Sequence, residues 1–151
     1  MSRKKPASKA PTGPLELDNY RHPDKFGLWL GYEPVKAIRG GKAILRLKLR
    51  EDHLSPAQRV HGGVVAAFLD YACGAAVFTT LERGDFCSTV ELKVNYFKPL
   101  LAGDVLIATS SVQFRGKRLC VVHALVHRGR EKAPVAMATG TFNVVSAPQR
   151  K

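Results

Sequence analysis

The sequence predicts a single α+β domain in which an antiparallel sheet curls around one long central apolar helix. The helix is indicated by residues 60–81, VHGGVVAAFLDYACGAAVFTTL, which are apolar on nearly every side and contain one carboxylate, Asp70. The strands are indicated by the flanking segments, where apolar and polar residues alternate with a period of two. Because a helix that is apolar all round has to be buried, the rest of the chain must wrap it.

Two strands are predicted before the helix. The segment PDKFGLWLGYEPV forms a short helical turn that packs its aromatic bulk on the domain, and a strand begins at about Gly31. Gly40 and Gly41 indicate a hairpin turn. The next segment, AILRLKLR, alternates leucines with polar positions, as a half-buried strand does. Residues 51–59 are polar and form a loop into the helix.

Four strands are predicted after the helix. Gly84 is expected to end the helix near residue 83, because Gly often follows the last turn of a helix. The alternating segments that follow are TVELKVNYF, VLIATSSVQF, RLCVVHALVHR and APVAMATGTFNVV, with Pro and Gly turns between them. Two strands, one helix and four strands, with the sheet curled around the helix, are the hot-dog architecture.

The charge of the chain and its ends restrict the classes of partner. Residues 1–14 are expected to be a disordered basic tail, residues 15–146 the single domain, and residues 147–151 a basic C-terminal end. The formal net charge of +12 suits a nucleic acid, an acidic membrane or a phosphorylated small molecule, or only a well-solvated basic surface. Aromatic residues are few and lie at core positions, which makes nucleic acid an unlikely partner.

The sequence is typical of a cytoplasmic protein. The basic start has no apolar segment behind it, and no apolar run reaches the roughly 20 residues of a membrane span. Hence neither secretion nor a membrane partner is expected. The cysteines Cys73, Cys87 and Cys120 are odd in number and lack the spacing of metal ligands, so we expect buried free thiols and no metal.

The start of the helix offers candidate binding groups. Gly62 and Gly63 leave the first helical N–H groups uncovered, and these groups suit an anion or a carbonyl oxygen that becomes an oxyanion. The alternative is that the two glycines only allow a tight entry into the helix. His61 precedes them and either donates to a ligand or caps the helix; the sequence leaves both interpretations open.

Asp70 is the candidate catalytic residue. Its helical neighbours are small, Ala66 and Gly74 among them, so a cleft can open beside it, and a buried carboxylate needs a partner or a solvated pocket. It is a general base or nucleophile, or else it makes a structural hydrogen bond across an interface. Gly63 lies seven residues away, about 10 Å along a helix axis, so both can reach one carbonyl only if Asp70 comes from a second subunit.

Together these segments resemble a known family. VHGGVVAAFLDYACGAAV, STVELKVNYFKPLLAGD and the strands around GKRLCVVHALV resemble the hot-dog-fold acyl-CoA thioesterases, in particular the PaaI-like subgroup of the phenylacetate pathway. The resemblance runs from about residue 31 to residue 145. It implies hydrolysis of an acyl- or aryl-CoA thioester, a homodimer that usually pairs into a homotetramer, and no cofactor beyond the CoA of the substrate.

The resemblance also implies roles for individual residues. Gly63 would polarise the thioester carbonyl, and Asp70 of the facing subunit would activate water or attack directly. His61 would help to shape the site, and Thr89, on the strand after the helix, would assist the water. An alternative within the same fold is a protein that binds or senses acyl-CoA without hydrolysing it.

The chain departs from the family pattern before the helix and adds cations elsewhere. Family members often carry Asn and Gly where this chain has Ser55 and Gln58, and Ser55 can supply a hydroxyl in place of the amide. The phosphates of CoA can be received by Arg115, Lys117 and Arg118. The alternative is that these three cations only solvate a hairpin turn.

Overall fold

The computed structural model describes residues 24–82 and 84–145. The elements in order are α1 (Lys25–Leu30), β1 (Tyr32–Ile38), β2 (Lys42–Lys48), a 3₁₀ turn (Glu51–His53), α2 (Gly62–Phe78), β3 (Phe86–Tyr96), β4 (Val105–Arg115), β5 (Leu119–Arg128) and β6 (Ala136–Val145). The predicted order of two strands, a helix and four strands is confirmed. The predicted basic tail and C-terminal end, residues 1–14 and 147–151, lie outside the described residues.

The six strands form one antiparallel sheet in the order β1-β2-β4-β5-β6-β3. Alternate side chains of each central strand point to α2, as the period-two pattern of the sequence requires. Strands β1 and β3 are the two edges of the sheet. The sheet curls so that one face of α2 packs on it, through Val64, Val65, Phe68, Leu69, Ala72, Cys73, Ala76 and Val77.

The sheet covers one side of α2 and leaves the other side less buried. The second face of the helix, which includes Ala66, Asp70 and Gly74, is only half-buried and looks out between the two edges of the sheet. A sheet with two free edges covers one side of a helix, and the other side stays open unless another element covers it. This open face carries the candidate carboxylate.

The helix also ends earlier than predicted, at Phe78. The hydroxyls of Thr79 and Thr80 donate to the carbonyls of Ala76 and Val77, at 2.8 and 2.7 Å. Side chains that bond the last carbonyls in this way compete with the continuing helix. Gly84 does adopt a left-handed backbone (φ 92°), but it does so in the turn before β3.

The short helix α1 only partly matches the expectation that its aromatic bulk packs on the domain. Leu30 and Gly27 are buried, whereas Phe26, Leu28 and Trp29 are 52%, 75% and 48% exposed. A helix of six residues has room for only one buried side, and that side lies against α2 and β1. Within the residues described, no helix is long and apolar enough to cross a membrane.

Candidate functional site

The site is built around a hydrogen bond between α2 and β3. The hydroxyl of Thr89 donates to Oδ1 of Asp70 at 2.8 Å. Burial raises the pKa of the Asp70 carboxyl, and the hydrogen bond from Thr89 acts in the opposite direction. Asp70 and Thr89, both candidates from the sequence, are therefore in direct contact. The Asp70 carboxyl binds a proton more readily than an ordinary aspartate does.

A β-bulge in β3 directs Thr89 to the helix. The register of β3 on β6 shifts between Thr89, which is opposite Phe142, and Glu91, which is opposite Thr141. Val90 is the extra residue and is exposed. Bulges of this kind change the direction of a side chain and occur next to active sites.

Asp70 opens into a cleft of about 740 Å³ between the two edges of the sheet. Four parts of the fold line it: α1 with the start of β1, the open face of α2, the start of β3, and one aromatic side chain of β6. A methyl group placed on Gly74 would meet only Phe142, at 3.8 Å, so this glycine leaves room in the cleft. Of the small residues expected beside Asp70, Gly74 lines the cleft, whereas Ala66 is half-buried outside its lining.

Sequence reasoning missed a second polar contact in the same cleft. The hydroxyl of Tyr71 donates to Oδ1 of Asp24 at 2.8 Å, and the same oxygen accepts the N–H of Gly27 at 2.9 Å. The ring of Tyr71 lies 4.4 Å from that of Tyr32, and burial followed by the Asp24 hydrogen bond raises the pKa of Tyr71. A contact between residues 47 positions apart leaves no local pattern by which it could have been found.

At the entrance of α2, His61 caps the helix. Its Nδ1 accepts the N–H of Gly63 at 2.9 Å, so the neutral ring carries its proton on Nε2. Of the two interpretations left open for His61, the described conformation is the cap. The N–H of Gly63 is therefore engaged, and it reaches a substrate only if His61 turns away or shares it. The Gly62 carbonyl accepts the hydroxyl of Tyr96 at 3.1 Å.

The loop before the helix, where this chain departs from the family pattern, forms a hydrogen-bonded turn. Ser55 and Gln58 close a turn in which the N–H of Gln58 donates to the carbonyl of Ser55 at 2.9 Å. Gln58 has φ 57° and is the one non-glycine residue with positive φ among those described. Gln58 thus adopts a left-handed backbone conformation that suits Gly better. Ser55 does not line the Asp70 cleft.

The three predicted phosphate-binding cations lie outside the cleft. Arg115 donates through Nε to the hydroxyl of Thr80 at 3.2 Å, which places it just beyond the C-terminal end of α2, and it also donates to the carbonyl of Gly116. Lys117 and Arg118 are exposed in the β4–β5 turn. A different pair of cations, Arg59 and Lys98, lines a second cleft of about 370 Å³ beside Gly62 at the helix entrance.

The cysteines do not suit nucleophilic or metal chemistry. Burial raises the pKa of Cys73 to about 12 and that of Cys87 to about 11. Cys87 differs from the expected buried thiol because it is half-exposed in the cleft. In the part of the chain that the structure describes, no group of three or more His, Cys, Asp or Glu side chains is placed to hold a metal ion.

Comparison with known proteins agrees with this fold. Residues 57–135, more than half of the chain, match the family model of the Thioesterase superfamily. Human acyl-coenzyme A thioesterase 13 is 32% identical over 90 residues, which cover 60% of this chain and 64% of that protein. The match thus spans less than two thirds of the length of the human relative.

Solved structures confirm the predicted hot-dog fold and the likeness to PaaI. The phenylacetic acid degradation protein PaaI of Thermus thermophilus superposes with a TM-score of 0.71 at 29% identity, over 80% of this chain and 98% of that one. A hypothetical thioesterase of Streptococcus pneumoniae, solved with coenzyme A, superposes with a TM-score of 0.69 at 25% identity, over 78% and 91% of the two chains.

Proposed function

Since the chain belongs to the Thioesterase superfamily, we propose that it hydrolyses an acyl- or aryl-CoA thioester to a free acid and CoA. The observation that carries the proposal is the half-buried Asp70 carboxyl, which is bonded to Thr89 and open to a cleft. The name of the human relative and the coenzyme A bound to the pneumococcal protein support the same class of substrate.

In the proposed reaction Asp70 acts as the base. Its carboxylate takes a proton from a water molecule while the water oxygen bonds to the thioester carbon, and Thr89 holds the carboxylate in place. The tetrahedral intermediate then collapses, the C–S bond breaks, and the CoA thiolate takes up the proton from Asp70. Direct attack by the carboxylate, with an anhydride that water then hydrolyses, is the alternative with the same residues.

The oxyanion of the intermediate needs a donor, and the expected donor, the N–H of Gly63, does not lie near Asp70 of the same subunit. Gly63 and Asp70 are seven residues apart on α2, about 10 Å along its axis. We therefore propose that the site is shared by two subunits, with the Gly63 N–H of one and Asp70 of the other. His61 would have to release that N–H when substrate binds.

The free edge of the sheet is the surface that supports this dimer. Strand β3 has eleven residues, pairs only with β6 among the described strands, and carries Thr89. Antiparallel pairing of two β3 edges would continue the sheet and bring the open faces of two α2 helices together. Pairing of such dimers into tetramers, and a cytoplasmic location, stay predictions.

The test is the release of CoA from a panel of aryl, medium-chain and long-chain acyl-CoAs. We expect turnover by the wild type and at least a 100-fold loss for Asp70→Asn, about 2.7 kcal/mol of barrier. The matched control is Asp52→Asn, because Asp52 is an exposed aspartate on the 3₁₀ turn. Equal activity of Asp70→Asn and wild type would refute the assigned base.

A second candidate is a non-catalytic acyl-CoA sensor. It is favoured by two observations, the engaged N–H of Gly63 and Ser55 in place of the family's Asn. A wild type that binds acyl-CoA tightly and releases no CoA from any member of the panel would establish the sensor and exclude the hydrolase.

A further inference from the structure

The Asp70 cleft has a charge opposite to that of the whole protein. The chain carries a formal net charge of +12, yet the described residues that line this cleft include no Lys, Arg or His. They include three carboxylates, Asp24, Glu33 and Asp70. On a basic protein, a concave surface with only acidic charges selects against anionic ligands.

The three carboxylates are not equivalent. Glu33 is well exposed and accepts a hydrogen bond from Arg46 at 2.8 Å, so its charge is largely balanced. Asp70 is bonded to the neutral hydroxyl of Thr89. Asp24 is bonded to the neutral N–H of Gly27 and the hydroxyl of Tyr71. Among the described residues, no cation pairs with Asp24 or Asp70.

The rest of the lining offers little to a polar acyl group. It contains the apolar or aromatic side chains of Leu28, Tyr32, Ala75, Phe78 and Phe142. Its hydroxyl side chains besides the tyrosines are the exposed Ser88 and Thr89, and Thr89 already donates to Asp70. The hydroxyl of Tyr71 is a hydrogen-bond donor in this lining, but it already donates its hydrogen bond to Asp24. Within one subunit, a carboxylate carried into the cleft by a substrate would therefore lose its water and face unbalanced negative charge.

From this arrangement we propose that Asp24 is a specificity-determining residue which excludes acyl groups that end in a carboxylate. The preferred substrates are CoA thioesters of uncharged fatty or aryl acids, and thioesters of dicarboxylic acids are rejected. This inference rests on the proposed function, because it takes the cleft beside Asp70 as the place where the acyl group lies. The phosphates of CoA then lie outside this cleft.

Two substrates of equal chain length provide the test: octanoyl-CoA and suberoyl-CoA, the mono-CoA thioester of the eight-carbon dicarboxylic acid. We expect kcat/KM of the wild type to favour octanoyl-CoA by about 100-fold, the effect of one desolvated and repelled charge. The net charge of +12 attracts the more anionic suberoyl-CoA, so it would favour the opposite preference. Long-range attraction therefore cannot produce this result.

The variant Asp24→Asn tests whether the charge of Asp24 causes the preference for octanoyl-CoA. Asn is as good a helix cap as Asp, so α1 keeps its N-terminal acceptor while the charge is lost. We expect the preference for octanoyl-CoA to fall at least tenfold. The control Glu131→Gln removes one equal charge on the exposed surface and should leave the ratio unchanged. If Asp24→Asn fails to fold, Asp24→Ser serves as the second uncharged cap.

The outcomes separate this inference from the proposed function. Equal turnover of the two thioesters by the wild type would overturn the inference and leave the thioesterase intact. If neither thioester is hydrolysed, the proposed function fails. The affinities of the two thioesters are then compared through the fluorescence of Trp29, the only tryptophan of the chain. Equal affinities would overturn the inference, and weaker binding of suberoyl-CoA that Asp24→Asn relieves would support it.

Discussion

Two effects set the pKa of the Asp70 carboxyl, namely its burial and the hydrogen bond that it accepts from Thr89. Burial makes the Asp70 carboxyl hold its proton to a higher pH than an ordinary aspartate, and the Thr89 hydroxyl partly reverses this by stabilising the carboxylate. If Asp70 acts as a base, its deprotonated form is the active one. Activity then rises with pH as the carboxyl loses its proton.

The first prediction follows from the direction of these effects. In Thr89→Ala the stabilising hydrogen bond is lost, the pKa of Asp70 rises further, and the acidic limb of kcat/KM should move to higher pH. Thr89→Ser keeps the hydroxyl and should keep the limb within a few tenths of a pH unit of its wild-type position. Profiles of kcat/KM against pH for the three proteins decide this. A limb that moves to lower pH in Thr89→Ala would contradict the assignment.

A second prediction at the scale of one residue concerns the backbone of Gln58. An L-residue in the left-handed region costs about 1–2 kcal/mol, whereas the added flexibility of Gly costs about 0.5–1 kcal/mol. Gln58→Gly should therefore raise the free energy of unfolding by about 0.5–1 kcal/mol in urea denaturation. The same substitution at Gln113, which lies at the bulge of β4 without a positive φ and donates to the hydroxyl of Ser111, should lower it. Loss of stability in both variants would show that the side chain of Gln58 has an unrecognised role.

At the scale of elements, the bulged edge strand β3 both completes the site and presents an unpaired edge. Val90 is 63% exposed there because the bulge leaves it without a partner on β6. Proteins commonly protect such edges with charge, and an exposed apolar residue on a long edge is typical of a strand that pairs with another chain.

The third prediction tests that pairing. Val90→Lys places a charge on each of two facing β3 edges and should convert the dimer to monomers with a loss of activity of at least tenfold. The matched control is Val35→Lys, because Val35 is 57% exposed on β1, the opposite edge of the same sheet. Light scattering after size exclusion reports the mass. A fully active monomer would overturn the shared site.

At the scale of the whole molecule, the two main candidate catalytic groups lie far apart on one helix. The candidate base lies in the middle of α2 and the candidate oxyanion donor lies at its start, so the axial distance along the helix separates them in every single chain. In the proposed shared site, Gly63 of one chain and Asp70 of a second chain act on the same carbonyl group.

The fourth prediction is complementation between two inactive variants. Asp70→Asn removes the base, and Gly63→Pro removes the N–H in the first turn of α2, where Pro is tolerated once His61 turns away from that position. After the two proteins are mixed and the subunits exchange, half of the dimers are mixed, and each mixed dimer holds one intact site. We expect about a quarter of the wild-type activity to return. No recovery, although native mass spectrometry shows mixed dimers, would place the whole site in one subunit.

The sequence by itself determined the order of the elements and pointed to the residue at the centre of the site. Strand and helix periodicities report which side of a local segment is buried, and this is enough to predict two strands, a helix and four strands. Asp70 stood out because a carboxylate in an apolar helix must be compensated by its surroundings.

Only the tertiary structure decided which side of α2 is open and what lies against it. A helix that is apolar all round carries no polar face to indicate the exposed side, so the sequence predicted a cleft beside Asp70 but not its position between the sheet edges. The bulge that directs Thr89, the His61 cap on Gly63 and the early end of the helix at Phe78 depend on backbone geometry. The contact of Asp24 with Tyr71 joins residues far apart in the chain, and such contacts are decided by packing.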